Sequence, residues 1–368
     1  MTERLSALLH AEADAVDVPP PSTAAVLRRG RAVRRRRRTT GAVAGLVAVG
    51  ALAGTGLALA PAGDDDAVRP VDPATSSGDT GATFTVGTTL WYDDASRRAV
   101  IDDKAVKSIY NTSAGILVRH GENNWSDGGG PQRFSLVTPD GDVRRLGLVT
   151  EEVAHSTDPA QPYVAWGDSR DGSLVIVVHH VAADREVARV PVPEADGAYF
   201  ATLELVGDIA YVRALSEDGG ERHLAVDWRT GEVTPRKLEV TDVGGDRGVS
   251  GSSIVELDSG AEVWSSPQRN AYLDLSPDGR HVLVQGGGWQ NPTFTVVAVD
   301  GGSEPLPLDP PAARYSWTAG SELMSVTADA VTTCDPASGA CEELPVDLGV
   351  TEEELLETLR PTGAVFES

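Results

Sequence analysis

The strongest constraint on this chain is a turn that keeps returning. An acid followed closely by glycine occurs at Asp140-Gly141, Asp227-Trp228-Arg229-Thr230-Gly231 and Asp258-Ser259-Gly260, then at Asp300-Gly301-Gly302 and Asp335-Pro336-Ala337-Ser338-Gly339. Asp93-Asp94 and Asp184 fill two comparable positions with no glycine nearby. Asp bonds its own backbone in a turn and glycine supplies positive φ, so each reads as a hairpin. Between the turns lie short runs, several of them β-branched. Examples are Phe134–Val137, Leu174–Val178, His223–Trp228, Ile254–Leu257, Val282–Val284, Phe294–Val299 and Val331–Cys334. Leu174–Val178 is apolar throughout and must be covered on both faces, which suits an inner strand sandwiched between neighbouring sheets. The glycine steps vary around 40, the ~40–45 residues of a four-stranded blade. Seven hairpins predict an all-β propeller of seven four-stranded antiparallel blades over residues 83–346. The shorter step from Gly231 to Gly260 keeps six blades open.

Composition agrees with strands. The 368 residues include 39 glycines and only two methionines, which argues against a helical bundle. The formal charge is −24 and unevenly spread. Residues 1–40 hold nine arginines against four acids, leaving about −29 on the rest. Nucleic acid is therefore excluded as the main partner of the large region, because phosphate binding needs a basic surface.

Residues 41–60, GAVAGLVAVGALAGTGLALA, carry no charge. At ~1.5 Å per residue they reach ~30 Å, the thickness of a bilayer core, so residues 41–61 are expected to be a transmembrane helix. Arg28, Arg29, Arg31 and Arg34–Arg38 precede it, and Asp64, Asp65 and Asp66 follow it. The basic side stays cytoplasmic, which puts residues 1–40 inside and the C-terminal part outside. A cleaved signal peptide is the rival reading, with Ala60-Pro61-Ala62 before Gly63 as the cleavage pattern. The Arg run serves as a topology determinant touching anionic lipid, or as a docking arm for a cytoplasmic factor. Residues 62–82 have the composition of a disordered linker. In the 347–368 tail, Thr351 caps a short helix of Glu352, Glu353, Glu354, Leu355, Leu356, Glu357, Thr358 and Leu359, stopped by Pro361.

Ser276-Pro277-Asp278-Gly279-Arg280, followed by an apolar strand, resembles the S-P-D-G-[RK] turn of WD-repeat-like, TolB-type propellers. The Asp-x-x-Thr/Ser-Gly hairpins at 227–231 and 335–339 are similar to theirs. With the Arg-rich arm, apolar segment and linker, the whole resembles uncharacterised single-pass actinobacterial membrane proteins with an extracytoplasmic propeller. That resemblance implies a fold and a topology, and names no reaction.

Motifs for chemistry are sparse. None of His10, His120, His155, His179, His180, His223 and His281 has a second ligand at metal spacing, so no metal site is expected. No G-x-S-x-G elbow, Walker A or cofactor motif occurs, and no catalytic residue or cofactor is assigned. A hydrolytic pair could sit among carboxylates of the central channel, but the sequence does not select it. Two glycine-rich loops each carry one tryptophan beside amides. One holds Asn123, Asn124 and Trp125; the other holds Trp289, Gln290 and Asn291. Both connect the second and third strands of their blades and so share a face, where stacking and hydrogen bonding would suit a sugar or peptide. Cys334 and Cys341 flank a hairpin, which in an oxidising compartment predicts a disulfide. The leading function is a membrane-anchored, non-enzymatic envelope module binding a protein, peptide or glycan. A transmembrane regulator whose arm binds a factor such as a sigma factor, and an anchored hydrolase using channel carboxylates, are the alternatives.

Overall fold

The computed structural model describes residues 81–124, 129–170, 172–268, 270–286, 293–301, 304–308 and 315–363. The expected arm, transmembrane segment and most of the linker lie outside them. The described chain forms seven four-stranded antiparallel sheets. Six of these blades are continuous in sequence, and their inner strands are Ala105–Thr112, His155–Thr157, Ala198–Val206, Asp242–Gly244, Tyr272–Leu275 and Tyr315–Trp317. Blade 1 is composite. Phe84–Val86, Thr89–Tyr92 and Arg97–Val100 are its second to fourth strands, and Leu359–Pro361 returns to be its first.

Seven apolar clusters hold the ring, one at each junction between neighbouring blades. Leu174–Val178 shows how the sequence builds two junctions at once. Leu174, Ile176 and Val178 face blade 4 and pack with Leu203, Leu205 and Val212. Val177 points the other way and packs with Leu117, Phe134 and Leu136 of blade 2. Period-two alternation makes both faces apolar, and each fully buried Val, Leu or Ile contributes ~1.5–3 kcal/mol. The strand is the third of its blade, whereas the sequence suggested an inner one. Double cover depends on packing between blades and reaches beyond the axis.

All seven hairpins join third and fourth strands. In the Asp227 turn, Oδ1 accepts from Arg229 N and Thr230 N, both at 2.9 Å, while Gly231 takes φ +77°. Where glycine is missing, the acids adopt the left-handed conformation themselves: Asp93, Asp94 and Asp184 have φ of 55°, 52° and 49°. Asp is among the few residues that tolerate it. The short step from Gly231 to Gly260 is a compact fifth blade, with strands Asp242–Gly244, Arg247–Ser250, Ser253–Glu256 and Glu262–Ser265 joined by tight turns. The ring therefore has seven blades, not six.

The expected propeller boundary at residue 346 falls short. The helix Glu352–Thr358 has the expected Thr351 cap, with Glu354 closing a capping box. It then delivers Leu359–Pro361 to Phe84–Val86, pairing Val86 with Leu359 and Phe84 with Pro361. Pro361 stops the helix and begins no tail. Lacking a backbone N–H, it is tolerated at a strand end. Leu355 and Leu359 join the cluster between blades 7 and 1.

Cys334 and Cys341 are register partners on the outer hairpin of blade 7 and form the expected disulfide, with Cα atoms 4.0 Å apart. The bond closes a small loop, so its effect on the unfolded chain is limited to about 2 kcal/mol. Urea unfolding with and without dithiothreitol should show a loss of that order, and an unchanged midpoint would refute it.

Candidate functional site

The inner strands enclose an axial cavity of about 390 Å³, lined by residues of blades 2 to 7 and by Gly363, just past the closing strand of blade 1. It extends to the face that carries the turns between first and second strands. Asp158–Ala160, Gly244-Gly245 and Pro277 form part of this end. The S-P-D-G-R motif supplies one of those turns. Ser276 Oγ donates to Asp278 Oδ1 at 2.7 Å, and Gly279 N donates to Ser276 O at 2.7 Å. Gly245 N then donates to Pro277 O at 2.9 Å, joining blade 5 to blade 6. Glycine is required at this crossing, since a Cβ on Gly244 would lie 2.0 Å from Ser276 O.

The wall is mainly apolar, including Ile109, Leu205, Val243, Leu275 and Trp317. Four acids interrupt it: Asp158, Glu204, Asp242 and Asp274. Three of them satisfy groups of the inner strands. Asp158 Oδ2 accepts from Gly207 N at 2.7 Å. Glu204 Oε2 accepts from Ser156 Oγ at 3.0 Å. Asp242 accepts from Leu275 N at 2.6 Å and Val243 N at 2.8 Å, bridging blades 5 and 6. Asp274 differs: among the described residues no hydrogen bond or ion pair reaches its carboxyl, although its own carbonyl accepts from Trp317 Nε1 at 3.1 Å. Burial pushes Asp242 up to about 7 against the lowering effect of its two N–H donors. Burial, reinforced by the neighbouring Asp242, pushes Asp274 well above the usual carboxylate range. Tyr272, on the same inner strand as Asp274, is raised by burial and by the Asp274, Asp242 and Glu204 charges. Both aspartates line the cavity and are half-buried, so their charged forms are less well solvated than in open water.

A second constellation has the bond order of a serine-hydrolase triad. His120 Nδ1 lies 2.6 Å from Asp103 Oδ2, and its Nε2 lies 2.9 Å from Ser135 Oγ. His120 is fully buried and Ser135 is 4% exposed, so no substrate carbonyl can approach that hydroxyl. Arg133 forks onto Asp103 with Nε at 2.7 Å and Nη2 at 2.6 Å. Burial raises the Asp103 carboxyl, but the Arg133, Lys104 N–H and His120 interactions outweigh it and hold the acid low. Burial lowers His120 against the pull of Asp103, which favours a neutral ring with Nδ1–H donating to the acid. The bonds form a strut from the link between blades 1 and 2 into the second and third strands of blade 2. Elsewhere, donor atoms of Glu221, His223 and Glu239 lie within 4.8 Å of one another. Arg213 Nε already sits 2.8 Å from Glu221 and 3.1 Å from Glu239, filling the cationic role there.

Of the six loop residues expected to contact a ligand, Trp125, Trp289, Gln290 and Asn291 lie outside the described residues. Asn123 Oδ1 accepts from Lys107 Nζ at 2.6 Å. Asn124 Nδ2 donates to Glu357 O at 3.2 Å, and its carbonyl accepts from Arg360 Nη2 at 2.9 Å. The Asn124 contacts tie the loop to the closing segment. The described strands on either side of each loop, Gly115–Gly121 with Gln132–Val137 and His281–Gly286 with Thr293–Ala298, are the second and third of their blades. Sequence reasoning missed Glu204, Asp242 and Asp274, although a signal was there. Each acid is flanked by strand formers in the first strand of its blade: Leu203-Glu204-Leu205, Thr241-Asp242-Val243 and Leu273-Asp274-Leu275.

Seven four-stranded antiparallel sheets around an axial cavity make this chain a seven-bladed β-propeller. Among solved structures it is similar to TolB from Acinetobacter baumannii, with 12% identity over 77% of this chain and 67% of that chain and a TM-score of 0.41. It is similar to a putative 6-phosphogluconolactonase from Bacteroides fragilis, with 11% identity over 75% and 98% and a TM-score of 0.44. It is also similar to AztD from Citrobacter koseri, with 11% identity over 73% and 97% and a TM-score of 0.47. At these values the sheets themselves, and not the likenesses, define the fold. No family model and no curated protein matches the sequence. Among the described residues no helix is long and apolar enough to cross a membrane.

Proposed function

We propose that this chain is a membrane-anchored, extracytoplasmic binding module without catalytic activity, and that a small ligand occupies the axial cavity. The cavity carries the reading: its mainly apolar wall with a few convergent polar groups is the usual composition of a ligand pocket. The anchor rests on the uncharged segment 41–60 and its Arg-before, Asp-after flanks. Protease added to intact spheroplasts should degrade residues 81–363 and spare residues 1–38; the reverse pattern refutes the topology. A thermal-shift screen of the full chain with cationic, neutral and anionic small molecules tests the binding role. If no class raises the melting temperature, the cavity is not a binding site.

The acids also favour a second reading, hydrolysis. A carboxyl near pKa 7 beside a second acid suits a general acid–base pair. Turnover of an ester or glycoside that disappears in Asp242→Asn, with ligand binding retained, would establish it.

A further inference from the structure

We propose that the ligand of the axial cavity is a small organic cation, an ammonium or guanidinium on a compact apolar body, anchored by Asp274. The inference rests on the cavity being a binding site and adds the chemical class of its occupant.

Three observations converge. First, the described lining contains four carboxylates and no lysine or arginine. Among the described residues, no ion pair reaches Asp158, Asp242 or Asp274 from another side chain. A cation entering the cavity therefore meets carboxyl acceptors and no like charge from a lining side chain. Second, the acids are not equivalent. Asp158, Glu204 and Asp242 already accept hydrogen bonds from the inner strands, whereas Asp274 holds its oxygens open beside the wall formed by Leu275 and Trp317. A donor-rich head entering the cavity meets its free acceptors there, with Asp242 in the same lining. Third, the wall selects the body that carries the charge. A bare divalent ion would gain nothing from Ile109, Val243, Leu275 and Trp317, while the body of an organic cation buries its apolar surface on them. At about 390 Å³ the space takes a small molecule and no folded segment.

The titratable groups around Asp274 are Asp242, Glu204, Asp158, Tyr110, Tyr272 and His155. Burial holds the Asp242 and Asp274 carboxyls above the usual range, so acidification protonates them and opposes a bound cation.

The test uses the full chain in detergent, titrated calorimetrically with phenethylammonium, with the neutral analogue 2-phenylethanol, and with calcium chloride. Phenethylammonium should bind at pH 7.5, weaken at least tenfold at pH 5, and weaken at least tenfold in Asp274→Asn. The pH arm uses the unaltered protein, so the proposal stays testable if the variant misfolds. Equal binding of 2-phenylethanol, or unchanged affinity in a folded Asp274→Asn protein, overturns the cation while leaving the cavity a binding site. Calcium binding with the same Asp274 dependence, without phenethylammonium binding, overturns it in favour of a metal. Binding by no compound of any charge class removes the binding-module reading as well.

Discussion

A chain ending at Thr358 should lose its cooperative melt near the native temperature, falling by more than about 10 °C or aggregating on purification. The residues removed include the inner strand of blade 1. Leu359, Arg360 and Pro361 pair with Val86, Thr85 and Phe84, and Phe84 is fully buried in the intact ring. Beyond the strand, Thr362 N donates to Thr83 O at 3.2 Å, and Ser316 Oγ donates to Thr362 O. Those bonds tie blade 1 to its own strand and to blade 7. Without them the cluster of Phe84, Met324, Val326 and Leu355 opens to water, and the ring acquires a free strand edge. At about 2–4 °C per kcal/mol, losing several buried side chains accounts for the size of the drop. Leu359→Ala tests the same closure at one site, with an expected cost of about 2–5 kcal/mol. Thermal melts followed by near-ultraviolet circular dichroism are the measurement. A truncated chain melting within two or three degrees of the intact one would show that the closing strand is dispensable.

The closing strand also marks where the sequence stops being readable. The outer hairpins were legible because their cause is local: Asp227 bonds two amides of its own turn, and Gly231 sits at positive φ. The disulfide was legible for the same reason, since its two cysteines belong to one hairpin. Leu359–Pro361 gave no such signal. It is a strand only because Phe84–Val86, far away in sequence, lacks an inner neighbour. The carboxylate site was only half legible on the same principle, because each acid stood out among strand formers but nothing local showed that the three meet. Glu204, Asp242 and Asp274 sit in separate blades, and ring closure alone brings them to one cavity. His120 shows the converse risk. Its bonds to Asp103 and Ser135 copy the order of a catalytic triad, and burial alone marks them as a strut.

Asp274→Asn should make the protein more stable at pH 8, raising the melting temperature on the order of 5 °C, and should make little difference at pH 4.5. Burial and the neighbouring Asp242 hold the Asp274 carboxyl far above its value in an unfolded chain. Such a group costs stability in either form. Ionised, it is a charge with poor solvation; protonated, it competes with an unfolded state that is free to ionise. From pH about 4 upward the folded state binds more protons than the unfolded one, so stability falls as pH rises through this window. The companion move of Asp242 from 3.8 to about 7 has the same sign. Other groups act oppositely. His120, His179 and His180 are lowered mainly by burial and cost stability once pH falls below their unfolded values. Asp103, held low by its partners, loses its contribution on further acidification. The difference between wild type and Asp274→Asn cancels those histidine and Asp103 contributions and reports Asp274 together with its effect on Asp242. Asparagine suits the comparison because, among the described residues, no hydrogen bond reaches the Asp274 carboxyl. Melting both proteins from pH 4.5 to 8 is the measurement, and a gain that does not grow with pH would refute the buried charge. A gain that does grow shows what the fold gives up to keep the acid, a sacrifice typical of residues retained for binding at the expense of packing.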